Sequence, residues 1–225
     1  MKFSKLMEEM RTIRDYKKAP VEKALIQEVL DVGRTARGIA ENASVLFIEN
    51  GKELFDKLSG KAGYFGKMME APHYLAVVTK EGPGYLENSG YIMELMRMKA
   101  WELGLGTCWL SIQDESELKK ILGVANTERL TAFAAIGYPY KGIFKKDISP
   151  KSSRLSMEEI VYLNQWNNSC TVEQLEQLGF ANIIYFAKYA PSYGNRQPWK
   201  LIVDHDKIFL TVAEDGKPDT GLDAG

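Results

Sequence analysis

Several classes of protein are excluded by what this chain lacks. Its 225 residues include only two cysteines, Cys108 and Cys170, and two histidines, His73 and His205. Two cysteines are too few for a disulfide framework, and free thiols are typical of a reducing compartment, so we expect a cytoplasmic protein. The histidines do not stand with the cysteines at metal-ligand spacing, so we predict neither a metal site nor a Cys–His nucleophile.

Long apolar runs and an excess of charge of one sign are also missing. The longest apolar segments are as short as "SVLFI" and "YLAVV", so no membrane-spanning segment is predicted. The first residues, "MKFSKLMEEMR", include acidic side chains where a signal peptide would be apolar. Lys and Arg number 29 against 30 Asp and Glu, which leaves a net charge of −1 and no general field that would attract nucleic acid. We expect neither a membrane nor a nucleic-acid partner.

The composition that remains is that of an ordinary globular chain, 45% apolar and 26% charged. Apolar residues at helical spacing predict a helix over the first ten residues, a second helix that Pro20 opens, and a third from about Ser89. Strands are predicted at 44–49, 73–79 and 107–112, over "TAFAAIGYP", and in a hairpin of "WKLIV" and "KIFLTVA". This order predicts an α/β or α+β fold around one central sheet. No low-complexity linker divides the chain, so we expect a single unit over 1–225.

Capping-box patterns mark the starts of three further helices. Asp114, Ser156 and Thr171 each stand three residues before a Glu or Gln, the spacing at which side chain and backbone satisfy each other at a helix N-terminus. The second of these helices is predicted over "MEEIVYLNQW". The third is predicted to run from Thr171 to Ala190. Its inner face is formed by Val172, Leu175, Gly179, Ile183, Phe186, Ala187 and Ala190.

A weak internal repeat divides the chain into two halves, about 1–165 and about 171–225. A shift of 155 residues lays "WKLIVDHDK" on "SVLFIENGK", with Leu46 on Leu201 and Lys52 on Lys207. In both halves this segment follows an amphipathic helix and a polar loop. The two loops differ sharply, since "TARGIAENA" in the first half stands where the second has "APSYGNRQP".

Three catalytic or nucleotide-binding motifs fail on inspection. "APSYG" resembles a nucleophile elbow, but a helix precedes it and a strand follows, the reverse of the required order. "GLGTCW" begins like a dinucleotide fingerprint but lacks its third glycine, and its helix lies on the wrong side. No Walker loop is present. The sequence therefore offers no visible machinery for hydrolysis.

Two basic motifs are candidates for binding phosphate. "RTIR" places Arg11 and Arg14 one helical turn apart with the hydroxyl of Thr12 between them, and guanidinium groups match phosphate oxygens well. The alternative is a solvated basic face at a helix end. "PKSSR" offers Lys151 and Arg154 just before a capped helix; its alternative is a polar linker.

Two further stretches could line a planar ligand. "GLGTCWLS" ends a helix and enters a strand, where backbone N–H groups and an indole can face a ring; it can equally be a helix stop followed by a buried strand. In "PSYGNRQPW", the polar groups of Ser192, Asn195 and Gln197 can bind ring or sugar heteroatoms, and the two prolines reduce the entropy lost on binding. The alternative here is a capped helix-to-strand turn. We expect Trp199 to be a core anchor.

In chain order, "RTIRDY", "GLGTCWLSI", "AIGYP", "KSSR" followed by "EEIV", and "APSYGNRQPW" together resemble the FMN-dependent nitroreductase family. The similarity covers nearly the whole chain. In the usual family order the last motif follows the first two helices, whereas here it comes at the end. The chain thus resembles a small subgroup of nitroreductases in which one chain carries two related halves. The resemblance implies an α+β, nitroreductase-like fold with a central, mostly antiparallel sheet flanked by helices, and an internal pseudo-duplication.

The resemblance also implies one FMN site per chain. In the family's homodimer each FMN lies at the subunit interface, so a chain with two related halves would supply both sides, as a monomer (pseudo-dimer) or a homodimer. At the matching positions the first-half loop, 35–43, has none of the Pro, Ser, Asn and Gln residues of its counterpart, so its site should be empty. The second half stops at "DTGLDAG", where a last helix is expected to begin.

The family's binding residues carry over by motif. The phosphate would be held by Arg11, Thr12, Arg14, Lys151 and Arg154. The ribityl chain and flavin ring would be lined by Pro191, Ser192, Tyr193, Asn195 and Gln197. The ring's other side would face Trp109, Leu110 and Ser111, with a backbone N–H such as that of Ser111 near flavin N5.

The implied chemistry belongs to the flavin. Hydride passes from NADH or NADPH to FMN and then to a small-molecule acceptor such as a nitroaromatic or a quinone. No side chain need act as acid or base, so no catalytic residue is predicted, and Cys108 is expected to be a buried strand residue. The alternative is a flavin-binding storage or sensor protein that does not turn over.

Overall fold

Helices and strands alternate along the chain in a computed structural model that describes residues 3–40, 43–140 and 153–212. The first part contains α1 (Phe3–Glu9), α2 (Lys23–Thr35), β1 (Ser44–Ile48), α3 (Gly51–Leu58), β2 (Ala62–Gly63), β3 (His73–Thr79), α4 (Tyr85–Glu102), β4 (Gly106–Trp109), β5 (Ser111–Ile112), α5 (Glu115–Leu122) and β6 (Arg129–Gly137). The second contains α6 (Met157–Ile160), β7 (Val161–Leu163), α7 (Val172–Gln177), α8 (Ala181–Ala187), a 3-10 turn (Tyr193–Asn195), β8 (Trp199–Asp204) and β9 (Lys207–Val212).

The central sheet has the order β1-β3-β6-β4, and all of its pairs are antiparallel. Alternate residues of β3 enter two separate cores, as the pleat of a strand requires. Leu75 and Val77 pack against α2 and α4 on one face, while Tyr74 and Ala76 pack with Leu118 of α5 on the other. Because helices cover both faces, β3 reads as a continuous apolar run, which is why its limits were predictable.

The C-terminal hairpin lies in a separate sheet of order β7-β8-β9, rather than extending a single central sheet. Strand β8 pairs in parallel with β7 and antiparallel with β9. Its inward residues join a third core with Leu175 of α7 and Ile184 of α8. Trp199 is 5% exposed within this core, so the prediction that it is a core anchor is confirmed. No helix in 3–40, 43–140 or 153–212 is long and apolar enough to cross a bilayer.

The helix predicted over "MEEIVYLNQW" is wrong beyond its first turn. The capping box forms, with Glu159 N–H donating to Ser156 Oγ at 3.3 Å and Ser156 N–H donating to Glu159 Oε2 at 2.7 Å. After four helical residues, however, the chain becomes β7, which pairs with β8 in parallel. Val161 and Tyr162 favour a pleated, half-buried surface, and the ladder with β8 overrides the local helical pattern.

The helix predicted from Thr171 to Ala190 is two helices. The capping box of Thr171 and Gln174 is confirmed, but the chain breaks at Gly179, whose φ is +78°. The break resets the helical phase, so Ile184 is buried while Ile183, predicted to face inward, is 57% exposed. Glycine adopts this left-handed conformation at no steric cost, and the apolar spacing alone did not reveal it.

Smaller boundary differences occur in the helix predicted from about Ser89 and in the strand that follows it. Helix α4 begins at Tyr85, four residues before the expected start, and ends at Glu102, two residues before Gly104, which has φ +77°. The single strand predicted at 107–112 is two strands, because β4 pairs with β6 and β5 pairs with β2. The cap of α5 is confirmed, since Glu117 N–H donates to Asp114 Oδ1 at 3.0 Å.

His73 gives the fold an acid-sensitive contact at the start of β3. Its Nε2 accepts the N–H of Val21 at 3.0 Å, and its Nδ1 lies 2.6 Å from the carbonyl oxygen of Glu49. The ring is therefore neutral with its proton on Nδ1. Burial lowers the pKa of His73 below its ordinary value of 6.5. The unfolded chain thus takes up a proton near that value while the folded chain resists, so stability is lost as pH falls below it.

We expect the melting temperature to fall between pH 7 and pH 5, with His73 adding up to about 1.4 kcal/mol per pH unit to the slope of the unfolding free energy. His73→Gln, which keeps an acceptor for Val21 without titrating, should flatten the slope. His205→Gln, at the exposed histidine, is the matched control. Equal slopes for the wild-type protein and His73→Gln would show that His73 does not cause the acid sensitivity.

Candidate functional site

The "RTIR" segment is extended rather than helical, which corrects the prediction of two arginines one helical turn apart. Helix α1 ends at Glu9, and the segment then runs beside β4, where Ile13 N–H donates to Thr107 O at 2.9 Å. Gly106 permits this approach, because a Cβ there would lie 2.6 Å from Cβ of Ile13. Alternating side chains of an extended segment point to opposite sides, so Arg11 and Arg14 line different cavities.

The end of β4 supplies one wall of a cleft. The indole of Trp109 lines it and donates from Nε1 to Glu94 Oε2 at 3.2 Å. Ser111 also lines the cleft and pairs with Gly63 of β2. Leu110, between them, turns inward: it is buried in the core, and its N–H donates to Phe133 O at 2.9 Å. Of these three predicted residues, the structure brings two to the cleft and places Leu110 behind it.

The loop of "APSYGNRQPW" forms the opposite wall and is rigidly built. Gly194, Asn195 and Gln197 all have positive φ, of 62°, 57° and 50°, a conformation that is costly for a glutamine unless its surroundings fix it. The Gln197 side chain does so: Oε1 accepts Leu155 N–H at 2.9 Å, and Nε2 donates to Ser153 O at 3.3 Å. Gln197 is therefore buried and holds the loop from behind, whereas Asn195 faces the cleft.

Arg154 joins this loop to the segment that precedes α6. Its guanidinium donates from NH1 to Asn195 Oδ1 and from NH2 to Tyr189 O at 3.2 Å. Its Nε is buried without a hydrogen-bond partner, and burial lowers the pKa of Arg154 below its ordinary value. A half-buried cation with an unsatisfied donor beside a cavity favours a bound anion. The predicted partner Lys151 lies outside the described residues.

Two adjoining cavities occupy the space between the walls. The larger, of about 350 Å³, lies between Arg14, Trp109 and Ser111 on one side and Pro191 to Asn195 on the other. The smaller, of about 100 Å³, is lined by Arg11, Arg97 and Arg154 together with Glu8 and Glu94. Thr12, Arg154 and Pro191 line both cavities, so the two adjoin along these residues.

The pair of Glu94 and Arg97 was missed in the sequence. Arg97 is 2% exposed, is paired with Glu94, and donates from Nε to Thr107 Oγ1 at 3.1 Å. Because Glu94 also accepts from Trp109, the pair ties α4 to the cleft wall. In "MELMRMKA", Arg97 stands four residues after Met93 and three before Ala100, which are both buried. A charged residue on this apolar helix face is the sequence signal that could have revealed the buried ion pair.

Two aromatic residues of the "GYFG" turn were missed as well. Tyr64 and Phe65 line the larger cavity. The guanidinium carbon of Arg14 lies 4.3 Å from the centre of the Tyr64 ring, within the range of a cation–π contact. The ring centres of Phe65 and Tyr193 lie 5.0 Å apart. The larger cavity therefore has aromatic groups on both walls.

Cys108 takes no part in the cleft, as the sequence led us to expect. It is fully buried in the core of the central sheet, and burial raises its pKa to about 11. A thiol with such a pKa is almost wholly protonated near neutral pH and is a poor nucleophile.

The chemistry of the two cavities is complementary. Three guanidinium groups face two carboxylates in the smaller one, and Glu94 is already paired with Arg97. This leaves positive charge for a small anion such as a phosphate group. Aromatic faces and the polar groups of Ser111, Ser192 and Asn195 line the larger one, as a flat heterocycle requires. The cleft suits a planar ring carrying an anionic tail.

Solved structures with this fold were found in large number, and three are representative. An FMN-dependent nitroreductase from Clostridium difficile R20291 is 22% identical, with 67% of this chain and 96% of that one covered and a TM-score of 0.54. A nitroreductase family protein from Clostridium difficile 630 is 22% identical, with 71% and 96% covered and a TM-score of 0.60. An oxidized iodotyrosine deiodinase bound to FMN and 3-iodo-L-tyrosine is 20% identical, with 64% and 94% covered and a TM-score of 0.52.

Sequence comparison gives the family. Among curated proteins, none matches this chain. A family described as "Putative TM nitroreductase" matches residues 2–223, which is nearly the whole length. Together with the structural likeness, this match confirms the predicted nitroreductase-like α+β fold. The chain belongs to this nitroreductase family.

Proposed function

We propose that this protein is an FMN-dependent oxidoreductase that passes hydride from NADH or NADPH to a small-molecule acceptor such as a nitroaromatic or a quinone. The observation that carries the proposal is the pair of adjoining cavities, in which an arginine-lined cavity lies beside a larger aromatic one and Arg154 lines both. FMN has the matching shape, a flat ring system joined through a ribityl chain to a phosphate.

The described residues fit this cofactor, with one change to the sequence-based roles. Arg11, Thr12 and Arg154 line the smaller cavity and are placed to hold the phosphate there. Arg14 lines only the larger cavity of these two, so we assign it to the ring rather than to the phosphate. The ring would lie between Trp109 and Ser111 on one side and Pro191, Ser192, Tyr193 and Asn195 on the other.

When bound, FMN supplies the redox chemistry by accepting and then donating hydride. The protein contributes binding and orientation. The Glu94–Arg97 pair holds the Trp109 indole in place, and Gln197 fixes the opposite loop from behind. A cleft whose walls are set before binding loses less entropy on ordering the cofactor. No side chain in this account acts as an acid or base.

Two of the similar structures support the choice of cofactor by their names, since one is an FMN-dependent nitroreductase and another is bound to FMN. The second is a deiodinase, which shows that this fold serves more than one reaction. Fold alone therefore does not decide the acceptor. The nitroaromatic or quinone acceptor rests on the family match and on the aromatic lining of the larger cavity.

Anaerobic reduction tests the proposed function. The FMN-loaded protein is mixed with NADH or NADPH in the absence of oxygen, and the visible flavin absorbance is followed. We expect the colour to bleach and to return when menadione or nitrobenzene is added. Bound FMN that neither nucleotide bleaches would favour a storage or sensor protein, which holds the same cofactor without turnover.

A further inference from the structure

Phe65 occupies a backbone position that ordinarily excludes it. Tyr64 N–H donates to Lys67 O at 2.9 Å, and Lys67 N–H donates to Tyr64 O at 3.1 Å, which closes a two-residue turn. The central residues, Phe65 and Gly66, have φ of +49° and +77°. Turns with two positive φ values select Asn, Asp or Gly, because a bulky side chain is strained there.

Burial does not explain why a phenylalanine stands at this position. Its side chain is 57% exposed, so the hydrophobic gain is small. The ring instead reaches across the cleft, to 5.0 Å from the Tyr193 ring centre at an interplanar angle of 46°. The ring also meets the Tyr64 ring edge-on, at 4.7 Å between centres, so its packing consists of two aromatic contacts beside the cavity rather than burial in the core. Backbone strain of this kind clusters at ligand clamps.

We propose that Phe65 is a specificity-determining residue that, with Tyr193, forms an aromatic clamp selecting flat aromatic acceptors. The inference deepens the proposed function and rests on it. Both rings line the larger cavity, beside Trp109 and Ser111. The two rings are tilted rather than stacked on each other. A flat aromatic acceptor can replace their mutual contact with an offset-stacked or edge-to-face contact to each ring. An acceptor without an aromatic face gains nothing from the clamp.

The turn allows a direct test, because asparagine suits the positive φ at this position better than phenylalanine does. Phe65→Asn removes the ring and relieves the positive φ, so we expect a melting temperature equal to or above that of the wild-type protein. The dissociation constant of menadione for the oxidised, FMN-loaded protein should rise roughly two- to tenfold, the usual worth of an aromatic pair. The rate of reoxidation of the reduced protein by ferricyanide, which has no aromatic face, should change less than the dissociation constant of menadione.

Three further variants separate the clamp from other roles. Phe65→Tyr keeps a ring and should bind menadione as the wild-type protein does, while Phe65→Gly should behave like Phe65→Asn. Phe209→Asn makes the matched change at an exposed phenylalanine of β9 and should have no effect on binding. Loss of stability in both Phe65→Asn and Phe65→Gly would make the ring structural and overturn the proposal.

The failure of this inference is distinguishable from failure of the proposed function. If FMN binds and is reduced by NADH or NADPH, yet Phe65→Asn and Phe65→Gly bind menadione as tightly as the wild-type protein, the clamp is wrong and the function stands. Equal losses with menadione and ferricyanide would also overturn the clamp. Absence of FMN binding by the wild-type protein would overturn both.

Discussion

Replacing Arg154 with alanine is expected to weaken FMN binding by about ten- to a hundredfold. Arg154 lines both cavities and carries a buried Nε without a partner. Hydrogen bonds to charged groups are each worth about 1.5–3 kcal/mol, which corresponds to that change in affinity. The measurement is a titration of the apoprotein with FMN, followed by the quenching of flavin fluorescence. The same loss is expected for Arg11→Ala.

The matched control is Arg34→Ala, which removes a guanidinium on α2 that is half exposed and paired with Asp31 at 3.7 Å. Riboflavin, which lacks the phosphate, separates charge recognition from damage to the loop. Arg154→Ala should lose much less affinity for riboflavin than for FMN. If Arg11→Ala, Arg14→Ala and Arg154→Ala all bind FMN normally, the arginines do not hold the cofactor.

Replacing Arg97 with methionine is expected to lower the free energy of unfolding by about 3 kcal/mol or more. Removing one member of a buried ion pair leaves the other charge uncompensated, and such losses are typically 3–5 kcal/mol. Here Glu94 would lose its Arg97 partner while its Oε1 already has none. Thr107 would lose a hydrogen bond at the same time. Denaturant unfolding measures the effect, with the change read as a shift in midpoint at constant slope.

Two comparisons make this result specific. Arg34→Met breaks an exposed ion pair, so its effect should stay below about 1 kcal/mol. The double variant Glu94→Gln/Arg97→Met removes both charges and should recover part of the lost stability. A single Arg97→Met variant as stable as Arg34→Met would mean that the pair does not hold α4 to the cleft wall.

Much of the fold could be predicted because local signals agreed with tertiary ones. Strand β3 lies between two helical layers, so its apolar run had the predicted limits. The capping boxes at Ser156 and Thr171 form because side chain and backbone lie only three residues apart. Such contacts need no knowledge of distant parts of the chain.

The errors occurred where a distant partner decides the local structure. Strand β7 exists because β8 offers it a parallel ladder, and β8 lies some forty residues away in the sequence. The "RTIR" segment is extended because Ile13 bonds to Thr107 of β4 rather than continuing α1. The spacing of apolar residues along the sequence does not reveal either of these long-range contacts.

The candidate site shows the same division. The loop of "APSYGNRQPW" was evident from its polar and proline content, and the structure brings it opposite Trp109 and Ser111. The roles of the Glu94–Arg97 pair and of the Phe65 ring depend on residues that they contact only in the folded chain. Glu94 accepts a hydrogen bond from Trp109, and Phe65 contacts Tyr193. Leu110 and Gln197 stand in the right motifs but turn inward, since one fills the core and the other holds the loop.

The pseudo-duplication and the division into halves at about 1–165 and 171–225 stay predictions. A helix, a loop and a strand occur twice in the expected order, as α2 with β1 and as α8 with β8. Their surroundings differ, because β1 pairs antiparallel with β3 while β8 pairs in parallel with β7.

The most direct test of the central claim is a calorimetric titration of the apoprotein with FMN, compared with riboflavin. We predict saturable binding of one FMN per chain, and at least about tenfold weaker binding of riboflavin, because the arginine-lined cavity holds the phosphate. Absence of FMN binding would contradict the account outright. Equal affinities for FMN and riboflavin, or two FMN per chain, would contradict the single phosphate-anchored site.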